Sequence, residues 1–396
     1  MKKGWQTKKL GEICVFDKVL GIHTGLPYVG LEHLESHTAR FIGSLDPQPV
    51  KSSTFRFSQE HILYGRLRPY LNKALAPDFE GHCSTEIFPL KPCPGLLREY
   101  LLYWLLSEEN CERINATCTG ARMPRAQMNE VMDFDFPLPP LPEQQRIVAI
   151  LDEAFAGIAT AKANTEKNLQ NARAIFESHL QSVFTQRGPG WVEKKLGDKA
   201  LLEIIDGDRG VNYPNGSDFQ EEGYCLFMNT KNVRPDGFEF GTTMFITEEK
   251  DRKLRQGKLK RDDVVLTTRG TIGNVGIYSD DIPFDNIRIN SGMLIFRPNK
   301  HALLPSFLFE MLRSEIVKNQ IRKQTTGAAQ PQLPIKTLVN FTIPLPTDIA
   351  DQAALVQKLR SFEPETKRLE SIYQQKLTSL DELKKSLLHR AFSGEL

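Results

Sequence analysis

Gly4-Trp5-Gln6-Thr7-Lys8-Lys9-Leu10-Gly11 returns far along the chain as Gly190-Trp191-Val192-Glu193-Lys194-Lys195-Leu196-Gly197. Internal similarity at a long period fixes architecture before any local reading, so the pair predicts one unit used twice. Working outward, Leu96-Leu97-Arg98-Glu99-Tyr100-Leu101 aligns with Leu303-Leu304-Pro305-Ser306-Phe307-Leu308, and Ser107-Glu108 with Ser314-Glu315. Thr119-Gly120-Ala121 falls on Thr326-Gly327-Ala328, Pro124 on Pro331, and Pro137-Leu138-Pro139 on Pro344-Leu345-Pro346. Ser178, Leu180 and Phe184 meet Ser386, Leu388 and Phe392. Chance matching of common residues would not keep order and spacing across so many blocks. Between the anchors the copies differ greatly.

Each copy ends in a helical signature. After Pro137-Leu138-Pro139-Pro140-Leu141-Pro142, residues 143–186 contain no proline and one glycine, which predicts a helix starting near Pro142. Such a helix is roughly 65 Å long at about 1.5 Å per residue. Its expected seam is Leu151, Ala154, Ile158, Ala161, Ala172 and Ile175, interrupted by the polar Thr165 and Asn168. In the second run Leu355, Leu359, Phe362, Leu369, Tyr373, Leu380, Leu383 and Leu387 recur at coiled-coil steps, and Pro364 should kink or break the helix. The expected fold class is mixed α/β: two similar α+β domains separated by a pair of long antiparallel coiled-coil helices, pseudo-two-fold and circularly organised. The boundaries fall at 1–142 for the first domain, 143–186 for the central helix, 187–346 for the second domain and 347–396 for the C-terminal helix.

Composition narrows the function classes. No run approaches 18 uncharged apolar residues, and Met1-Lys2-Lys3-Gly4-Trp5 lacks the apolar segment of a signal peptide, so a cytoplasmic location is expected. The six cysteines form no CxxC pair and read as reduced thiols. Residues 1–142 hold 16 basic and 16 acidic side chains and residues 187–346 hold 23 and 20. A nucleic-acid surface must therefore come from placement, because composition supplies no basic excess. Neither a phosphate loop of the G-x-x-x-x-G-K-[ST] type nor a G-x-S-x-G elbow is present, nor the tetrapeptide of adenine amino-methyltransferases. Gly270-Thr271-Ile272-Gly273-Asn274-Val275-Gly276 reads as a tight turn after the strand Val264-Val265-Leu266. His23, His33 and His37 lack a supporting metal motif and read as solvated. No catalytic residue, metal or cofactor is assigned to this chain.

What remains suits recognition. Tyr64-Gly65-Arg66-Leu67-Arg68-Pro69-Tyr70-Leu71-Asn72-Lys73 interleaves cations with aromatics, and a second loop carries Arg122 and Arg125. Arginine reads guanine edges in bidentate fashion, amides read adenine, and lysine and tyrosine grip phosphate. The candidates for DNA contact are Arg66, Arg68, Tyr70, Lys73, Arg122 and Arg125 in copy one, with Arg269, Asn274, Lys323, Gln330 and Gln332 in copy two. A protein-interaction scaffold, two binding domains on a rod, is the alternative that near-neutral charge favours.

These elements resemble the specificity subunits of type I restriction–modification systems over essentially the whole chain. The resemblance rests on the GWxxKKLG openings, the Arg261-Asp262-Asp263-Val264-Val265-Leu266 strand with its Arg-Gly turn, and the Thr-Gly-Ala loops. Pro137 to Val148, leading into the helix, and the ending His389-Arg390-Ala391-Phe392-Ser393-Gly394-Glu395-Leu396 complete it. It implies two target-recognition domains that each read half of a bipartite site on double-stranded DNA, with helices that set the spacing. It also implies a docking surface for methyltransferase subunits at Gln144, Arg146, Ile147, Ile150, Gln352 and Leu355. A separate restriction and translocase subunit is a further implied partner, and S-adenosylmethionine and ATP would reside in those partners.

Overall fold

The computed structural model describes residues 4–120, 122–325 and 332–396. The chain divides into two compact units, one made of residues 1–167 with Tyr373–Leu396, the other of Asn168–Ile372. Each unit thus owns one globular domain and a half of each long helix.

The strand plans match. In copy one, Cys14–Phe16, Ile87–Pro92, Ile62–Gly65 and Ala74–Leu75 form a four-stranded sheet in that order. Copy two repeats the order with Leu202–Asp206, Met293–Pro298, Val264–Thr267 and Val275–Ile277. A second small sheet in each copy includes a parallel pair, Tyr28–Val29 with Gly81–Cys83 and Cys225–Met228 with Ile287–Ile289. The repeated octapeptide closes each domain: Gln6–Lys9 pairs antiparallel with Asp135–Leu138, and Trp191–Lys195 with Thr342–Pro346. The glycine-rich stretch is the expected tight turn, with Val264–Thr267 antiparallel to Val275–Ile277. Gly270 and Gly273 carry its positive φ of 70° and 93°, a conformation side-chain-bearing residues rarely adopt.

The cores hold the helices through equivalent residues. In the first unit Leu101, Trp104, Ile147 and Leu151 pack with Leu388 and Ala391. In the second, Leu308, Met311, Val356 and Leu359 pack with Leu180, Val183 and Phe184. Tyr100 meets Phe392 at 5.1 Å between ring centroids, and the repeat pair Phe307 and Phe184 stands at 5.5 Å. Burying aromatic area at the matched position fixes each helix end to its own domain.

Both long helices are unbroken, Leu141–Thr185 and Ile349–Ser393. Pro364 does not end the second one; beside it the Thr366 hydroxyl donates to the carbonyls of Phe362 and Glu363. The buried line also differs from the expected seam. Thr165 lies on it, 1% exposed, with its hydroxyl returned to the Ala161 carbonyl at 2.7 Å. A threonine can occupy such a line because the preceding turn satisfies its hydroxyl. Ala172 is buried as expected, but Ile175, Phe362 and Leu383 are exposed, and Val356 and Thr366 are buried in their place. No helix among the described residues is long and apolar enough to cross a membrane.

Candidate nucleic-acid interface

The two loops of each copy come together through the same backbone bonds. In copy one the strand Ile62–Gly65 runs into a turn whose Leu67 bridges Arg125. The Ala126 amide donates to the Arg66 carbonyl at 2.9 Å and the Arg68 amide to that of Pro124 at 2.8 Å. In copy two Arg269 bridges Gln332, and the Leu333 amide donates to the Thr268 carbonyl at 3.0 Å. Each domain therefore presents one continuous patch made from segments distant in sequence.

Their side chains differ in availability. Arg68, Tyr70 and Arg122 are exposed, and Arg68 takes a left-handed φ of 51° before the turn Pro69–Leu71. Arg66 and Arg125 are half-buried against Glu86. Arg125 donates through Nε to both carboxylate oxygens at 3.0 Å and places Nη2 2.9 Å from Oε1. The Arg66 Nε lies 3.8 Å from Oε2, and its guanidinium rests over the Phe88 ring at 5.3 Å. Lys73 is held inward, its ammonium donating to the Leu31 carbonyl at 2.7 Å.

In copy two Arg269, Gln332 and Lys323 are exposed, Lys323 in the last turn of the helix Glu315–Thr325. Asn274 holds the glycine turn. Its backbone amide donates to the Thr267 hydroxyl at 3.0 Å and its side-chain amide to the Val233 carbonyl at 2.9 Å. Gln330, with Ala121, Pro331 and the second Thr-Gly-Ala, lies outside the described residues. Lys73 and Asn274 thus spend these donors inside the fold, on the part-buried carbonyls of Leu31 and Val233.

The expected docking residues need a larger correction. Gln144 and Gln352 are fully buried and perform one task twice. Gln144 Oε1 accepts from the Leu97 amide at 2.7 Å, and Nε2 donates to the carbonyls of Gly95 and Pro139, both at 2.9 Å. Gln352 Oε1 accepts from the Leu304 amide at 2.9 Å, and Nε2 donates to those of Ala302 at 3.1 Å and Pro346 at 2.9 Å. The glutamines, with both ends of the side-chain amide engaged inside the fold, lock each long helix to its domain. Ile147 is buried in the first core and Leu355 packs against the second. Ile150 is half-buried. Arg146 stays on the surface, held by Glu143 and by the Leu396 carbonyl at 2.6 Å.

Sequence reading missed Glu86. A lone glutamate between two strands carries no motif, and its partners Arg66 and Arg125 lie 20 positions before it and 39 after it. Among the described residues no group of three or more His, Cys, Asp or Glu is placed to hold a metal ion. His33 is a turn residue whose Nδ1 accepts from the Gly30 amide at 3.1 Å.

The family model of the type I restriction modification DNA specificity domain matches residues 2–171 and again 189–379. The EcoBI specificity subunit of Escherichia coli is 25% identical over 304 residues, which are 72% of this chain but only 63% of that one, less than two thirds of its length. The MjaVIII specificity subunit of Methanocaldococcus jannaschii is 28% identical over 313 residues, 75% of this chain and 70% of that one. A chain from a study of type I R-M assembly superposes with a TM-score of 0.82 at 21% identity, covering 100% of this chain and 99% of that one. The HsdS subunit of Thermoanaerobacter tengcongensis gives 0.61 at 20%, covering 100% and 98%. At those identities the two structures speak for the fold.

Proposed function

Since the chain belongs to the type I restriction–modification DNA specificity family, we propose that it is the non-catalytic subunit that directs such a complex to a bipartite site on double-stranded DNA. Each domain reads one half-site through its loop patch, and the long helices set the gap. The partners are methyltransferase subunits, which bring S-adenosylmethionine, and an ATP-driven restriction subunit; the setting is the cytoplasm. The carrying observation is that one set of backbone bonds assembles the patch in both copies while its side chains differ. That is what one scaffold needs in order to read two different half-sites. Arg68, Arg122, Arg269 and Gln332 supply outward donors suited to phosphates and purine edges.

The test is co-expression with a type I methyltransferase subunit, followed by mapping of modified adenines. A split motif is expected, and replacing residues 1–142 by another recognition domain should change one half only. A motif indifferent to that exchange overturns the reading. So does failure of the assembled complex to bind any duplex, which would favour a protein-binding scaffold. Inserting seven residues, two helical turns, into both long helices should widen the gap between half-sites. Binding should also fall steeply with added salt.

A further inference from the structure

Two arginines of copy one's loop patch converge on one carboxylate, whereas among the described residues no carboxylate pairs with Arg269 in the patch of copy two. The same backbone bond marks equivalent positions: the Arg66 amide donates to the Glu86 carbonyl at 2.9 Å, and the Thr268 amide to the Gly292 carbonyl at 2.8 Å. Copy one thus carries a carboxylate where copy two has only a hydrogen atom. Glu86 is intermediate in exposure, its side chain 27% accessible. It grips Arg125 along the edge formed by Nε and Nη2 and lies beside Arg66 Nε; Arg125 Nη1 donates to the Met123 carbonyl at 3.4 Å, which leaves the second hydrogens of its Nη1 and Nη2 and the outer nitrogens of Arg66 as the remaining donors. The Phe88 ring under Arg66 fixes the plane of that guanidinium as well.

We propose that Glu86 is the positioning residue of the first half-site: by orienting Arg125 and Arg66 it decides which base pattern their remaining N–H donors accept. An unrestrained arginine samples many rotamers and grips any nearby phosphate. One clamped along a carboxylate presents its remaining donors in a fixed plane, which suits the paired acceptors of guanine in the major groove. Arg269, exposed and opposite a glycine, has no carboxylate partner among the described residues, so the two half-sites are read by differently prepared arginines. A carboxylate that merely offset positive charge would weaken binding to every sequence alike, and that alternative makes the opposite forecast.

The inference rests on the proposed function, and the experiment separates their failures. The full chain, assembled with its methyltransferase partner, is compared with Glu86→Gln and Arg125→Gln by competition binding over duplexes that vary every position of both half-sites. Glu86→Gln is expected to lose about tenfold in preference at one or two base pairs of the first half-site. The second half-site should keep its ranking, which also reports that the variant is folded. Arg125→Gln should relax the same positions, and the double variant should add little more. Tighter binding of Glu86→Gln to all duplexes with unchanged ranking overturns the proposal, as does an unaltered first half-site. A wild-type complex without any split preference overturns the proposed function together with this inference.

Discussion

At the junction of domain and helix, Gln144 in one unit and Gln352 in the other each satisfy one amide and two carbonyls at matched positions. At the loop patches, the equivalent positions Glu86 and Gly292 share a backbone bond and nothing else. The contrast teaches where a duplicated protein keeps its copies alike. Buried polar groups accept very few solutions, because each unsatisfied donor or acceptor costs about 1–3 kcal/mol. Exposed loops held only by backbone bonds can change every side chain without loss of fold. Packing lies between these extremes. The first unit has Tyr103 on Asp152 and Lys384 over Phe155, around a cavity of about 830 Å³. The second fills the corresponding place with Arg313 against Glu310 and the Phe176 and Phe309 rings. Burial pushes the Glu310 carboxyl upward while Arg313 opposes it.

The hardest blow to the shared framework should come from Gln352→Ala, with Gln144→Ala as its counterpart. Either leaves one amide and two carbonyls without partners, and about 4 kcal/mol of unit stability should be lost. Trp191 is the only tryptophan of the second unit, while Trp5 and Trp104 lie in the first, so fluorescence during urea unfolding reports the units separately. Each variant should weaken its own unit first. Losses under about 1 kcal/mol in both would remove the lock from the account.

A next test strikes a feature of one copy alone. Asp251 is buried with Arg288 and accepts from the Lys258 ammonium at 2.6 Å. Burial raises its carboxyl, but the hydrogen bonds from Lys258 and Arg288 outweigh this and hold it below the usual carboxylate range. A depressed folded value contributes stability that is present above about pH 4 and lost as the pH falls through it. Asp251→Asn should cost the second unit about 3 kcal/mol at neutral pH, since it strands a buried arginine. It should also flatten that unit's acid sensitivity. An acid midpoint identical to wild type would show that other carboxylates govern it.

Smaller effects belong to the loops. Arg269→Ala should cost about 2 kcal/mol of binding to the second half-site and spare the first, measured by competition in the assembled complex. Equal losses over both half-sites would make Arg269 a phosphate contact instead.

The framework was legible in the sequence because it is local or repeated. The GWxxKKLG repeats, the proline-bounded helix starts and the alignment of the blocks that fold as the helices Arg98–Leu106 and Pro305–Arg313 all follow from pattern. Errors arose where tertiary contact overrides residue type. Thr165 looked like an interruption and is buried, since a hydroxyl bonded to its own helix behaves as a small apolar group. Ile175 looked like core and is 52% exposed. Gln144, a polar residue on a helix, reads as surface until the domain folds over it. The loops were found as groups, but which arginines are restrained depends on Glu86, and that contact exists only in three dimensions.

The smallest expected effect tests whether the copies are merely similar or made for one another. In the first unit Lys162 pairs with Asp381, and in the second Arg173 pairs with Glu370 at 3.2 Å. The register that aligns Phe184 with Phe392 sets Lys162 on Glu370 and Arg173 on Asp381, so the charges are exchanged between copies. The central helix carries both cations and the C-terminal helix both anions. A central helix facing a second copy of itself would set Lys162 against Arg173, whereas facing the C-terminal helix it finds a carboxylate both times. Exposed pairs of this kind contribute about 0.5 kcal/mol each. Lys162→Glu should therefore lower the first unit's urea midpoint slightly, Asp381→Lys should do likewise, and the double reversal should restore it, with the coupling fading at high salt. Strict additivity of the two reversals would leave the exchanged charges without a pairing role.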